Sequence, residues 1–318
     1  MKKNKLNKIL DNFKGKKIGV IGDLMLDHFI WGDIKRISPE APVPVILIER
    51  ESFIPGGAAN TANNIVALGG EAHLVGVIGS DEPGKRLKTE LRKRKIGSAG
   101  IFSDRNRPTT QKTRLIVKNQ QMARIDREEA RPVDRRQEKK ALDYIKSQLK
   151  NWDGLVFSDY NKGFITKDLA QKIISLTKNQ KKPIIADVKP VNAGYFRNVT
   201  ILNPNQKEAT IMTGENKVRK AGKIIQKKLN CSVLIKQGAR GMTLFESNKT
   251  KHFPATAKKV FDVVGAGDTV AAVLALAIVS GANLSQAAEI TNRAAGIVVG
   301  KAGTAVVLSE ELKKELQV

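Results

Sequence analysis

The chain has 318 residues, of which 41% are hydrophobic and only 5% aromatic. That is enough apolar material for one large α/β domain or two modest ones, and too few rings for a platform that stacks single-stranded nucleic acid. Against 31 acidic residues stand 56 basic ones, a net charge of +25, which draws anions such as nucleotides, phosphorylated metabolites, nucleic acid or acidic lipid.

Leu6, Ile9, Leu10 and Phe13 recur at helical spacing, and no apolar stretch follows the basic start, so no signal peptide is expected. "KKIGVIGD" (16–23) reads as a buried strand ending in a turn. Further strands are predicted at "HLVGVIG" (73–79), "GLVFSDY" (154–160), "PIIADV" (183–188), "VTILNPN" (199–205) and "SVLIKQG" (232–238). Helical periods lie between them, in "ANTANNIVALGG", "PGKRLKTELRKRKI", "DRRQEKKALDYIKSQL", "TKDLAQKIISLTKNQ" and "QKEATIMTG". This alternation predicts an α/β fold with a mostly parallel sheet covered on both faces. Ligands in such sheets bind outside the carboxyl ends of the strands. The polar segments "GD", "SDY", "DVKP", "NPN" and "KQG" all fall there.

"APVPVILIERES" (41–52) and "TTQKTRLIVKNQQMARIDRE" (109–128) break the alternation, with strand-like composition and no helix between their own strands. Their prolines and charges suit an exposed edge. They predict a small β-lid, about 29–52 and 108–128, inserted into one domain spanning 1–318. The lone Cys231 sits in an apolar run and excludes an intramolecular disulfide, and the three histidines have no metal-ligand spacing. The longest apolar run, around 270–279, is too short to span a bilayer. No membrane partner is expected, and the natural compartment is the cytoplasm. The lysines are spread over helix-like faces and no zinc finger, RNP-type strand or basic zipper occurs, so no nucleic-acid partner is expected.

Three motifs carry chemistry. In "GAGDTVAAVLALA" the glycines Gly265 and Gly267 permit a tight turn, and the helix that follows offers unpaired N–H groups and a positive dipole end. Asp268 in that setting is expected to be held ionised. It is either an acidic helix cap or a base that takes a proton from an attacking hydroxyl. In "PGGAANTANNIVALGG", Gly56 and Gly57 let the backbone approach a ligand and Asn60 offers an amide. In "NPNQKE", Asn205 and Glu208 have the spacing of a capping box, and equally of a pair that orders water around magnesium.

These motifs, in this order, resemble the ribokinase-like (PfkB) carbohydrate kinases over essentially the whole chain. The resemblance implies a three-layer α/β/α sandwich with a β-lid, with ATP and Mg²⁺, and a monovalent cation such as K⁺ as a further candidate cofactor. "GDLMLDHFIWGDIKRISPEAPVPV", "KNQQMARID", "SDYNKG" and "VVGKAGT" resemble the branch that phosphorylates D-glycero-β-D-manno-heptose 7-phosphate, which often forms the first half of a bifunctional kinase/adenylyltransferase.

The resemblance makes Asp268 the catalytic base for the anomeric hydroxyl and Gly265, Ala266 and Gly267 the anion hole. It assigns Asn203, Asn205 and Glu208 to ATP, the last two also to magnesium through water, and Asn292 to the adenine pocket. Asp23, Asp27, Gly56, Gly57 and Asn60 are implied to bind the sugar. Lys236 stands where the family usually has Thr; it is expected near the phosphates or in solvent, with Gly238 and Gly241 keeping the turn. Arg36, Lys112, Arg114, Arg124, Lys162 and Lys189 are candidates for the substrate's own phosphate, Lys162 and Lys189 foremost because both follow strand ends. Asp187 is a candidate for ordering magnesium or water. The lid's exposed strands invite a homodimer. A kinase for another sugar or sugar phosphate is the alternative, with a non-catalytic nucleic-acid binder behind it.

Overall fold

The computed structural model describes residues 2–118, 120–257, 259–301 and 303–317. The main sheet is built from β1 (Lys17–Gly22), β4 (Glu71–Gly79), β5 (Gly97–Asp104), β8 (Gly154–Ser158), β9 (Ile184–Asp187), β10 (Ile201–Leu202), β11 (Ser232–Lys236), β12 (Met242–Glu246) and β13 (Lys249–Phe253). Its order is β13-β12-β11-β10-β9-β8-β1-β4-β5. All neighbours from β5 to β11 pair in parallel, and β12 and β13 add antiparallel. Parallel strands are buried on both faces, so β1 and β8 read as continuous apolar runs.

Two cores lie on the two faces. One joins Ile18, Val20 and Val156 to α1 (Lys2–Asp11), α2 (Ala58–Ala67), α3 (Glu82–Lys93), α8 (Ala266–Val279), α9 (Leu284–Val298) and α10 (Ser309–Gln317). The other joins Ile21, Leu155 and Phe157 to α4 (Arg135–Gln148), α5 (Lys167–Asn179), α6 (Gln206–Thr213) and α7 (Val218–Leu229). The predicted helix is α1, which carries Leu6, Ile9 and Leu10 and ends before Phe13 in the following turn; all four side chains are buried. Helix α8 is buried nearly all round, because it is apolar on every face and packs between α2 and α9. Among the described residues no helix is long and apolar enough to cross a membrane.

The lid is a second sheet, in the order β3-β2-β6-β7, from β2 (Leu24–Ile37), β3 (Pro44–Gly57), β6 (Thr110–Val117) and β7 (Gln120–Arg127). Its first two strands begin and end deeper than predicted. β2 starts at once after Asp23, and β3 runs down to Gly57 at the head of α2. The lid is therefore an extension of the strand ends that hold the site. Several elements differ from expectation, and β5, α9 and α10 were not predicted at all. The run 199–205 forms strand only at Ile201–Leu202, after which "NPN" turns into α6. The hairpin β12–β13 was hidden in a charged segment. Helix α7 buries Ala221, Ile225 and Leu229 at helical spacing, a stripe masked by lysines in its sequence.

Candidate active site

The turn before α8 decides where its first amides point. Gly265 caps the helix at φ 78°, ψ −3°, a left-handed conformation that side chains rarely adopt. The Ala266 N–H is used on Val263 O at 3.3 Å, and the first helical bond runs from Thr269 N–H to Gly265 O at 3.1 Å. The N–H groups of Gly267 and Asp268 thus lack intrahelical acceptors and are free to bind an anion.

Asp268 is 3% exposed. Its Oδ1 accepts from Thr61 Oγ1 at 3.0 Å and from the Tyr160 hydroxyl at 2.8 Å. Its Oδ2 accepts from Asn60 Nδ2 at 2.8 Å. A carboxylate oxygen has about two acceptor sites, so Oδ1 is saturated and Oδ2 keeps one free lone pair. Burial pushes the carboxyl up to about 7, with Asp187 adding to the rise and the donors from Asn60, Tyr160 and Thr61 opposing it. This corrects the expectation that it is held ionised: desolvation outweighs the donors around it. A carboxylate poised near neutrality has the pKa that general-base chemistry at physiological pH requires.

Beside Gly267 opens a cleft of about 120 Å³ lined by Tyr160, Asp187, Lys189, Asn205, Glu208 and Lys236 among others. Lys236 reaches Asp187 Oδ1 at 3.2 Å, and Lys189 reaches Glu208 Oε1 at 3.0 Å and lies 5.4 Å from the centre of the Tyr160 ring. Burial raises Asp187, opposed by Lys236 and reinforced by Glu208. Lys236 therefore lies in the cleft and not in solvent. Gly238 and Gly241 carry the following turn at φ 59° and 85°. Asn205 and Glu208 form a full capping box, Glu208 N–H to Asn205 Oδ1 and Asn205 N–H to Glu208 Oε2, both at 2.8 Å. The Asn205–Glu208 pair thus caps α6 and lines the cleft at once. Asn203, fully buried, has no hydrogen-bond partner for either side-chain polar atom among the described residues. Asn292 is buried on α9 and donates to Pro254 O at 2.7 Å. Its backbone carbonyl accepts from Thr256 Oγ1 at 3.3 Å, and Thr256 lines a neighbouring cavity of about 460 Å³ with Lys259, Gly296 and Gly300.

At the end of β1, Asp23 accepts from the backbone N–H groups of Tyr160, Lys162 and Phe164 at 2.8, 3.0 and 3.2 Å. Its carboxylate is engaged in shaping the 160–164 turn, so it positions Tyr160. Asp27 accepts from Arg114 Nη1 at 2.5 Å. Gly56 lies against it, where a Cβ would come within 2.5 Å of Oδ2. Gly57 turns the chain into α2, which presents Asn60 and Thr61.

The predicted phosphate cations disperse. Lys112 pairs with Asp126 and Glu128 at 3.0 and 3.1 Å, Arg124 with Asp126 at 3.0 Å, and Lys162 with Glu128 at 2.6 Å. Lys189 falls in the Asp187–Glu208 cleft instead. Arg36 is exposed near the lid tip, nine residues beyond Asp27 on β2, about 30 Å along the strand. Sequence reasoning missed Tyr160 and Thr61. The signals were a tyrosine directly after a strand end and a threonine beside Asn60 on the same helix.

Residues 16–311 match the family described as pfkB family carbohydrate kinase. A relative called bifunctional protein HldE, from Helicobacter acinonychis, is 39% identical over 93% of the chain, and one of the same name from Syntrophotalea carbinolica is 37% identical over 99%. The chain spans 65% and 66% of the length of these two curated relatives. Among solved structures, phosphofructokinase-2 from Escherichia coli in complex with potassium superposes with TM-score 0.78 at 20% identity, covering 96% of this chain and 98% of that one. Arabidopsis thaliana ribokinase complexed with ribose and ATP superposes with TM-score 0.74 at 21% identity, covering 96% and 99%. The fold is thus that of the ribokinase-like kinases, a mostly parallel sheet with helices on both faces. The chain belongs to the pfkB family of carbohydrate kinases.

Proposed function

We propose that the chain transfers the γ-phosphoryl group of ATP to the anomeric 1-hydroxyl of D-glycero-β-D-manno-heptose 7-phosphate, giving the 1,7-bisphosphate used for ADP-heptose and the lipopolysaccharide inner core. One observation carries the reading: Asp268 stands buried at the head of α8 with one free lone pair on Oδ2, beside N–H groups free for a phosphoryl group. The motifs that carry the resemblance supply two of its donors and one strand of the lid. "SDYNKG" supplies Tyr160, "GGAAN" supplies Asn60, and "QMARID" forms the lid strand β7.

In this reading the sugar O1 attacks phosphorus as the bond from phosphorus to the bridging oxygen of ADP breaks, and the O1 proton passes to Asp268 Oδ2. Thr61 and Tyr160 hold Oδ1 and fix the carboxylate. The Gly267 and Asp268 N–H groups stabilise charge on the transferring group. Lys236 and Lys189 lie alongside to balance the nucleotide's charge.

The donor set fits magnesium: Asp187 and Glu208 are two like charges facing one small cleft, and magnesium is usually held by one or two carboxylates plus water and phosphate. Magnesium, when bound there, would neutralise charge at the phosphates. The lid leaves β3 and β7 as free edges, with Leu47, Ile48, Met122 and Ile125 exposed. We infer that a second copy covers them.

The test is ADP release from Mg-ATP with a panel of heptose 7-phosphate, hexose phosphates and unphosphorylated sugars. The proposal predicts the highest kcat/KM for heptose 7-phosphate. A higher value for another sugar overturns the substrate assignment.

A further inference from the structure

The lid face that carries Asp27, Phe29 and Trp31 looks onto the turn before α8. Between them lies a cavity of about 470 Å³, walled by Trp31, Arg50, Arg114 and Gln121 on the lid and by Val264 and Thr304 opposite. Val264 directly precedes Gly265, and the nearest atoms to a Cβ on Gly265 would be Asn60 Nδ2 and Thr304 Cγ2, at 2.9 and 3.0 Å. Asn60 is also a donor to Asp268. The cavity therefore runs from the lid to the turn that leads into α8, where Val264 and Thr304 flank Gly265.

Two guanidinium groups enter it in the same manner. Arg50 lies 3.7 Å above the centre of the Trp31 ring, and Arg114 lies 5.1 Å from the centre of the Phe29 ring. A guanidinium laid on a ring keeps its N–H edge free for a planar, bidentate acceptor. Arg114 uses one donor on Asp27 and keeps others. Arg50 differs from the site's other cations. Lys112, Arg124, Lys162, Lys189 and Lys236 each have an acidic partner, and Arg50 has none among the described residues. Asp262, the acid lining this cavity, accepts from the N–H groups of Val264 and Gly303 at 2.9 and 3.1 Å.

The register sets the spacing. Asp27 pairs with Ile54 and Trp31 with Arg50, so Arg50 lies four residues farther out than Asp27, about 13 Å along the strand. A sugar held by Asp27 and reaching outward along the lid would have its far end toward Arg50.

We propose that Arg50 and Arg114 form the anion subsite for the substrate's terminal phosphate, and that Arg50 distinguishes a phosphorylated sugar from an unphosphorylated one. This rests on the sugar-phosphate kinase reading above. Arg50 was not singled out in the sequence because its ring partner lies across the strand pair. The subsite also explains why the lysines following strand ends need not serve this phosphate: they are neutralised by neighbouring acids.

The experiment compares kcat/KM for heptose 7-phosphate and for the same heptose without its phosphate, in the wild-type chain, Arg50→Met and Arg50→Lys. Arg50 is exposed, and circular dichroism checks that the variants fold. Arg50→Met is expected to lower the preference for the phosphorylated sugar by roughly 10- to 100-fold, the loss of a charge-assisted pair. Arg50→Lys should recover part of it, as a point charge without the fork. An unchanged preference in Arg50→Met overturns the assignment of Arg50 and leaves the kinase reading intact. A higher wild-type kcat/KM for a different sugar phosphate overturns the heptose reading alone, and the same ratio measured on that sugar then decides Arg50. A wild-type chain with no preference for a phosphorylated sugar overturns both.

Discussion

Replacing Asp268 by asparagine separates what the buried carboxylate costs the fold from what it does in turnover. Its pKa stands at about 7 against an ordinary 3.8, and desolvation is the main cause. Between these values the folded chain binds more protons than the unfolded one, so stability falls as pH rises through that window. The penalty is absent below the unfolded pKa and fully developed above the folded one. Taking those two values, the ionisation penalty grows by about 2–3 kcal/mol between about pH 5 and about pH 8. Asparagine has nearly the same shape and no charge. Its Oδ1 can still accept from Thr61 and Tyr160, while its Nδ2 would face the Asn60 amide and require that amide to turn. That adjustment is independent of pH and cancels in the comparison. Urea unfolding of wild type and Asp268→Asn at the two pH values should show the variant gaining about 2–3 kcal/mol relative to wild type as pH rises. Its turnover should fall by roughly 10²–10⁴-fold. A stability gap that does not move with pH would refute the argument that burial holds this carboxyl near neutrality.

Tyr160→Phe removes a donor to the charged form of Asp268. The acidic limb of the kcat/KM profile should move up by roughly one pH unit, with folding retained; an unmoved limb would remove Tyr160 from the control of the base. Lys236→Met leaves Asp187 without its ion-pair partner, and KM for Mg-ATP should rise roughly tenfold with KM for the sugar little changed; the reverse pattern would place Lys236 on the sugar side. Ile125→Lys puts a charge on the exposed lid edge. Sedimentation should show a dimer for wild type at micromolar concentration and a monomer for the variant, and a monomeric wild type would contradict the lid dimer.

Much of this arrangement was readable because parallel strands advertise themselves. Their apolar runs stop at polar ends, and "GD", "SDY", "DVKP", "NPN" and "KQG" all reach the same edge of the sheet. The parts that escaped depend on groups brought together by folding. Asp268 was legible as an acid at a helix head, but its protonation was misjudged, since sequence shows the dipole and not the desolvation. Tyr160 becomes a partner of Asp268 only because Asp23 gathers three backbone N–H groups and holds the turn in place. Lys112 and Lys162 looked like free cations until β7 and the residue that follows it set Asp126 and Glu128 beside them. Arg36 lies too far out along β2, a distance no local motif reveals. Asn205 and Glu208 illustrate a different limit: the spacing that makes a capping box also suits a cation site, and here the capping box lines the cleft.

The central claim is that Asp268 directs phosphoryl transfer to the anomeric oxygen of a heptose 7-phosphate. The most direct measurement is ³¹P NMR of a reaction containing the chain, Mg-ATP and that sugar. The wild-type reaction should give a new phosphate resonance coupled to the anomeric proton with the 7-phosphate retained, and Asp268→Asn should give no new resonance. Phosphate appearing on another hydroxyl, or an anomeric phosphate formed at the wild-type rate by Asp268→Asn, would contradict it.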